Sequence, residues 1–494
     1  MFQQLKIEIS SATKCIKHPS LWEGLVRLLM KNISRREFLK LSGAATAAVA
    51  LASCKNNANA ELGDVDPMGH HSGPVPTDKM TYRTNPNNND RISLLGYGWM
   101  RLPMLPVKPS KDMSKPPEEE IDQEQVNKLC KYALDHGVNY FDTSPAYVRG
   151  KSEASLGTAL KASGYDRKSY FIATKLSNFA PEQQTHAEGI KMFQNSLKYL
   201  QTDYIDYLLL HSLGGGKIDG LNRRYIDNGV LDYLLEQRKK GVIRQLGFSY
   251  HGDMEFYDYM ISLHDKYHWD FVQIQVNYVD WNHSDGKHLY EELEKRNIPA
   301  IVMEPLLGGR LAKLPDHVVA HLKQREPENS VASWAFRYCG TKPDILTVLS
   351  GMTYMEHLED NIRSFSPLKP LTKEEVDWLE GETANLIVSY PTVPCNDCKY
   401  CMPCPYGIDI PGIFTHYNKC VNKGNVPESK EAENYEEARR IYLISYNRSI
   451  PTLRQADHCI DCRQCNPHCP QNIDIPQQLA RINEFVEKLK QNNL

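Results

Sequence analysis

The sequence predicts a closed (β/α)8 barrel of the α/β class, followed by a small, mainly helical, cysteine-rich domain. Three observations predict it. From about Arg91 to Phe365, apolar strand-like runs alternate with amphipathic helical patterns, eight times over. Strict alternation implies parallel strands joined by right-handed helical crossovers, and eight such units in about 275 residues match a closed barrel. No G-x-G-x-x-G follows the first strand, which disfavours an open doubly wound sheet. Downstream, eight of the thirteen cysteines crowd into two short runs.

Composition limits the alternatives. The 494 residues carry a net charge of −3, with 41% hydrophobic and 24% charged residues. That balance suits a globular protein and lacks the basic excess that nucleic-acid binding needs. No run reaches the roughly 18 apolar residues of a membrane-spanning helix.

The chain opens with an address. Ser34-Arg35-Arg36-Glu37-Phe38-Leu39-Lys40 fits the twin-arginine export pattern, and the small-residue apolar stretch Leu41 to Ser53 has the length of a signal h-region. It ends in Leu51-Ala52-Ser53-Cys54, which resembles the bacterial lipoprotein box with Cys54 as the lipidated residue. Residues 1–54 are therefore read as a signal segment starting at Met30, and a lipid anchor as the protein's membrane contact. Residues 55–80, rich in Asn, Pro, Gly and Asp, are expected to be a flexible tether.

The barrel is expected over residues 81–370. Its strand candidates are Ser93–Gly96, Asn139–Asp142, Tyr170–Thr174, Tyr204–Leu210, Arg244–Phe248, Phe271–Val276, Ala300–Met303 and Leu346–Leu349. The clearest helix places Val126, Leu129, Cys130, Ala133 and Leu134 on one face and stops at Gly137. Catalytic groups of such barrels sit at the carboxyl ends of strands. There the sequence offers Asp142 with Tyr147 five residues on, then Lys175, then His211. One such residue alone means little. Four polar groups at three consecutive strand ends open on one mouth.

These residues resemble the aldo/keto reductase family. Phe141-Asp142-Thr143 through Tyr147 and Gly150-Lys151-Ser152-Glu153 are similar to that family's Asp-Thr-Ala…Tyr-Gly…Ser-Glu segment, with Val148 where the family usually has Gly. The likeness continues through Lys175, His211, Leu246-Gly247-Phe248-Ser249, Gln273…Asn277, Leu307-Gly308-Gly309-Arg310-Leu311 and Ser350-Gly351-Met352 to Asp360-Asn361. It implies a carbonyl or alcohol substrate and a nicotinamide cofactor. Tyr147 would be the proton donor, its pKa lowered by Lys175, with Asp142 holding Lys175 and His211 orienting the carbonyl oxygen. Ser249 and Gln273 would hold the carboxamide. Gly308, Gly309 and Arg310 would lie near the pyrophosphate, and Asp360 and Asn361 would face the adenine. The basic residues usual in NADP-preferring members are missing: Gly351 and His357 stand there, so NAD and NADP both stay open. Glu304 stands where the family usually has a stacking aromatic residue.

Residues 371–494 are expected to form the second domain. Cys395-x2-Cys398-x2-Cys401-x2-Cys404-Pro405 is followed by Cys459-x2-Cys462-x2-Cys465-x3-Cys469-Pro470. The second run has the spacing of the bacterial [4Fe–4S] motif, whose fourth Cys serves the other cluster. That predicts Cys395, Cys398, Cys401 and Cys469 on one cluster, and Cys459, Cys462, Cys465 and Cys404 on the other. Two four-cysteine zinc sites, or disulfides in an exported protein, are the alternatives. Cys404-Pro-Tyr-Gly-Ile-Asp-Ile-Pro411 and Cys469-Pro-Gln-Asn-Ile-Asp-Ile-Pro476 form an internal repeat, each entering a helix. The long spacer between the runs makes the module resemble the α-helical ferredoxins.

Taken together, the expected protein is an exported oxidoreductase with two [4Fe–4S] clusters and a membrane or periplasmic electron-transfer partner. A redox sensor or electron-transfer subunit with an inactive barrel is the competing expectation.

Overall fold

A computed structural model describes residues 66–106, 120–213 and 218–494. The signal segment, with Arg35, Arg36 and Cys54, lies outside the described residues, as does the first part of the expected tether, residues 55–65.

Ten strands are described. β1 (Tyr82–Thr84) and β2 (Arg91–Ser93) form an antiparallel hairpin. The other eight are β3 (Leu95–Gly98), β4 (Tyr140–Asp142), β5 (Phe171–Leu176), β6 (Ile205–Leu213), β7 (Ile243–Tyr250), β8 (Val272–Gln275), β9 (Ala300–Met303) and β10 (Ile345–Ser350). All eight pair in parallel, and β10 returns to β3 to close the barrel. Each expected strand is present. The first lies two residues later than expected, because Arg91–Ser93 is spent pairing with β1.

Local chemistry sets the helices. Gln123–Asp135 starts where the Asp122 side chain accepts from the Gln125 N–H, buries Val126, Leu129, Cys130, Ala133 and Leu134, and stops before Gly137 at φ +88°. The barrel interior is filled by Tyr140, Ala173, Tyr207, Leu209, Phe271, Ile301, Leu346 and Leu349, with Ile92 of the hairpin closing the amino-terminal end. Ion pairs of Arg244 with Asp90 and Asp206, at 2.7 and 2.8 Å, fasten that end. These charges serve stability, since chemistry belongs to the other face.

Two expected boundaries move. The described part of the tether, residues 66–80, has neither helix nor strand, yet it is tied to the barrel. His70 N–H donates to the Glu328 carbonyl, Lys323 Nζ to Met68, and Arg363 Nη2 to Gly73. The barrel also keeps the helical stretch after Lys373. Leu379, Ala384 and Ile387 are buried in the barrel's core, and the second core begins only at Val393.

That second core is helical, as expected. Its helices are Ile410–Asn422, Tyr435–Ser449 and Ile475–Lys490. The repeat is real in three dimensions. Asp409 caps the first helix and Asp474 the last, each followed by Pro in the opening turn. Cys420 is buried in this core, and Cys130 and Cys339 in the barrel's, so all three are packing residues. No helix among the described residues is long and apolar enough to cross a membrane.

Candidate active site

Parallel strands deliver their carboxyl ends to one face, so Asp142, Lys175 and His211 meet there. Lys175 Nζ donates to Asp142 Oδ1 at 2.5 Å and to the Thr143 carbonyl at 2.9 Å. Both partners are buried. Tyr147 sits on the turn after β4, its ring centroid 4.9 Å from Lys175 Nζ and 5.7 Å from the His211 ring. His211 Nδ1 is engaged by Ser177 Oγ at 2.6 Å and Ser144 Oγ at 3.2 Å. With Nδ1 so occupied, Nε2 is the nitrogen left for a ligand.

The turn carrying Tyr147 is strained. Val148 (φ +47°) and Arg149 (φ +52°) both take left-handed conformations. A β-branched residue there is an outlier. Where related sequences usually have Gly, the backbone has kept the shape that Gly permits.

The four residues line one cavity with Ser249, Gln273, Gly308, Gly309, Ser350 and Gly351. Gln273 is 2% exposed, and its Oε1 has no hydrogen-bond partner. A buried acceptor without a donor is costly, and this residue lines the cavity. Arg310, Asp360 and Asn361 do not reach this cavity. Arg310 Nη2 donates to Thr392 Oγ1 at 2.9 Å. Asp360 accepts from Ser330 Oγ at 2.5 Å, and Asn361 Nδ2 donates to Ser350 Oγ at 2.9 Å. Each of the three thus has at least one polar atom bonded within the fold.

The electrostatics differ from expectation on one point. Burial pushes the Tyr147 phenol well above its ordinary pKa, and Tyr400, Asp142 and Glu304 add to the rise. The phenol is held protonated rather than poised to ionise. Burial likewise lowers Lys175 and raises Asp142, and their mutual attraction opposes both shifts. Burial, then the Lys175 charge, drives His211 well below the usual imidazole range and His251 down to about 4. Both imidazoles are neutral near pH 7.

Sequence reasoning missed part of the wall. Besides Glu304, whose position the sequence indicates, His251, Arg101 and, from the cysteine-rich module, Cys398, Tyr400 and Pro470 face the same cavity. The module sits across the barrel mouth. Asn396 Nδ2 donates to Glu304 Oε1 at 3.0 Å, Gln471 Nε2 to Gln275 Oε1 at 3.0 Å, and Arg101 Nη2 to the Asn396 carbonyl. A Cβ on Gly308, at φ +66°, would lie 2.3 Å from Asn396 Cβ. Glycine at that position lets the module seat. No local sequence signal marks Tyr400, because it lies between two cysteines whose spacing already has an explanation.

The cysteines gather as their spacing predicts. Cys395, Cys398, Cys401 and Cys469 line one cavity, walled by Ile410, Phe414, Ile473 and Ile475. Cys404, Cys459 and Cys462 are close enough to Cys465 to interact with its thiol. All of the described cysteines are free thiols. Four thiols on one mainly apolar cavity are the donor set that a cubane cluster takes.

Known proteins match the chain in three segments. Residues 112–381 match the profile described as the aldo/keto reductase family, residues 394–474 that of a 4Fe-4S dicluster domain, and residues 32–52 that of a twin-arginine translocation signal. L-galactose dehydrogenase of Arabidopsis thaliana is 24% identical, over 62% of this chain and 94% of its own length. A probable voltage-gated potassium channel subunit beta of Oryza sativa subsp. japonica is 23% identical, over 61% of this chain and 96% of its own. A Klebsiella pneumoniae aldo-keto reductase solved in complex with NADPH is 20% identical with a TM-score of 0.47, covering 62% of this chain and 95% of its own.

Proposed function

Since the chain belongs to the aldo/keto reductase family and is an oxidoreductase with an iron–sulfur domain and a twin-arginine export signal, we propose that it interconverts a carbonyl and an alcohol in the cavity at the barrel mouth. The observation that carries this reading is the convergence of Tyr147, Lys175, Asp142 and His211 with the unpartnered Gln273 acceptor on one cavity.

Each residue has a role that follows from its surroundings. Tyr147, kept protonated, donates to the oxygen on which negative charge develops. The Lys175 ammonium beneath its ring stabilises the phenolate left behind, and Asp142 fixes that ammonium. Neutral His211 donates from Nε2 and orients the oxygen, while Ser144 and Ser177 fix its ring. Gln273 Oε1 accepts from the carboxamide N–H of a nicotinamide, with Ser249 beside it, and Gly309, where an added Cβ would meet nothing within 4 Å, leaves room for a pyrophosphate backbone. A nicotinamide, when bound, supplies the hydride. In the second module, Cys395, Cys398, Cys401 and Cys469 would hold one [4Fe–4S] cluster, and Cys404, Cys459, Cys462 and Cys465 the other. Such clusters store single electrons. The membrane-anchor reading at Cys54 and an electron-transfer partner outside the cytoplasm complete this proposal.

A second reading is favoured by one observation. Arg310 is tied to Thr392 and Gly308 abuts Asn396, so the module covers the loop expected to serve a dinucleotide. That arrangement suits a barrel that binds and senses without turnover.

Dinucleotide binding tests the site directly. Equilibrium dialysis of the iron-loaded protein against NADPH and NADH is expected to show one saturable site. Gln273→Leu, which removes the carboxamide's partner, is expected to weaken it about tenfold, as the loss of one well-placed buried hydrogen bond does. Equal binding by the variant would contradict the assignment.

A further inference from the structure

The two cysteine runs repeat each other beyond their thiols. Cys395-Asn-Asp-Cys-Lys-Tyr-Cys401 aligns with Cys459-Ile-Asp-Cys-Arg-Gln-Cys465. The backbone repeats too. Asp397 and Lys399 have φ of 53° and 65°, and Asp461 and Arg463 both have 56°. Left-handed turns at non-glycine residues are uncommon. Here they wrap each loop around its thiols in the same way. Position 400 corresponds to Gln464, which is exposed. A cysteine loop of this shape therefore does not need an aromatic residue there. In the first run that place carries a phenol, set into the barrel's cavity.

The neighbours of that phenol are reaction-site residues. Tyr400 and Tyr147 line the same cavity, close enough for their side chains to influence each other electrostatically. The Tyr400 ring lies 6.2 Å from Phe179 and 6.4 Å from His211, and Phe179 lies 5.1 Å from His211. With Tyr147, three aromatic rings surround the imidazole. The geometry points to Tyr400 as a positioning residue of the barrel's site: its hydroxyl fixes the direction of the Tyr147 hydroxyl, and its ring closes the aromatic wall over His211. The reaction site is then complete only with the iron–sulfur module seated. Tyr400 is not needed as an anchor, because Gln471, Asn396 and Thr392 already bond the module to Gln275, Glu304 and Arg310. The inference rests on Tyr147 as the proton donor.

Tyr400→Phe removes the hydroxyl and keeps the ring. Tyr406→Phe, at an exposed position on the same run, is the control. Iron content and melting temperature are expected to match the parent in both. In Tyr400→Phe, kcat for an aldehyde is expected to fall about tenfold with KM within about twofold, inside the roughly hundredfold that an ångström of misplacement costs. A readout free of turnover uses 3-fluorotyrosine incorporation. The Tyr147 fluorine resonance, identified by its loss in Tyr147→Phe, is expected to move in Tyr400→Phe and not in Tyr406→Phe. An unmoved resonance, an unchanged kcat, or a loss of activity that only follows lost iron would overturn the proposal. If the resonance moves while the parent protein reduces no carbonyl, the positioning role stands and the carbonyl reading falls.

Discussion

Tyr147→Phe is expected to lower carbonyl reduction by about 10²- to 10⁴-fold while leaving iron content and folding unchanged. The range is what a positioned proton donor contributes. The phenyl ring keeps its place over Lys175, 4.9 Å from the ammonium, so packing is conserved and only the proton is lost. His211 does not replace it, because its imidazole is held neutral by burial and by the Lys175 charge and is a poor acid. Steady-state rates on one aldehyde, with iron measured on the same samples, decide the matter. Retained activity would remove Tyr147 from the mechanism.

Lys175→Met is expected to cost about 3–5 kcal/mol of stability, the penalty for stranding one member of a buried ion pair. Among the described residues, Lys175 Nζ is the hydrogen-bond partner of Asp142 Oδ1, and Asp142 Oδ2 has none. In the variant the carboxylate has burial against it and no cation to help. Its folded pKa then lies above its unfolded value, so the folded state binds the extra proton. The deficit is therefore expected to shrink as pH falls from 8 to 5. The double variant Lys175→Met with Asp142→Asn, which removes the stranded charge, is expected to recover much of the loss. Denaturant melts at the two pH values check both statements. A deficit that is equal at pH 5 and pH 8 would mean that Asp142 is not the stranded charge.

Much of this protein could be read from short-range pattern. Eight strands followed from alternation, because a strand buried on both faces leaves a clear apolar run. Asp142, Lys175 and His211 followed from it as well, since the carboxyl end of a known strand has a known address. The cysteine grouping was legible from spacing alone. What escaped was long-range. The sequence around Thr372 looks like a fresh start, and it is a true capping box with Glu375, yet the helix it begins packs on the barrel through Leu379. Tyr400 was hidden because its loop's purpose was already explained, and only docking shows where it goes. The ionisation of Tyr147 was misjudged for a related reason. Lys175 was counted, but the burial, Tyr400 and Glu304 that outweigh it come from the assembled mouth. Thr392, 82 residues further on, accepts a hydrogen bond from Arg310, a pairing that no local pattern announces.

The central claim is that a barrel mouth walled by an iron–sulfur module performs carbonyl chemistry. Its most direct test is a stoichiometric one, made anaerobically on protein with full iron occupancy. A panel of small aldehydes is offered with reduced nicotinamide dinucleotide, and alcohol formed is measured against dinucleotide consumed. One alcohol per dinucleotide, abolished in Tyr147→Phe, is the expected result. Protein that binds the dinucleotide tightly, keeps its iron and yet forms no alcohol from any aldehyde would contradict the account.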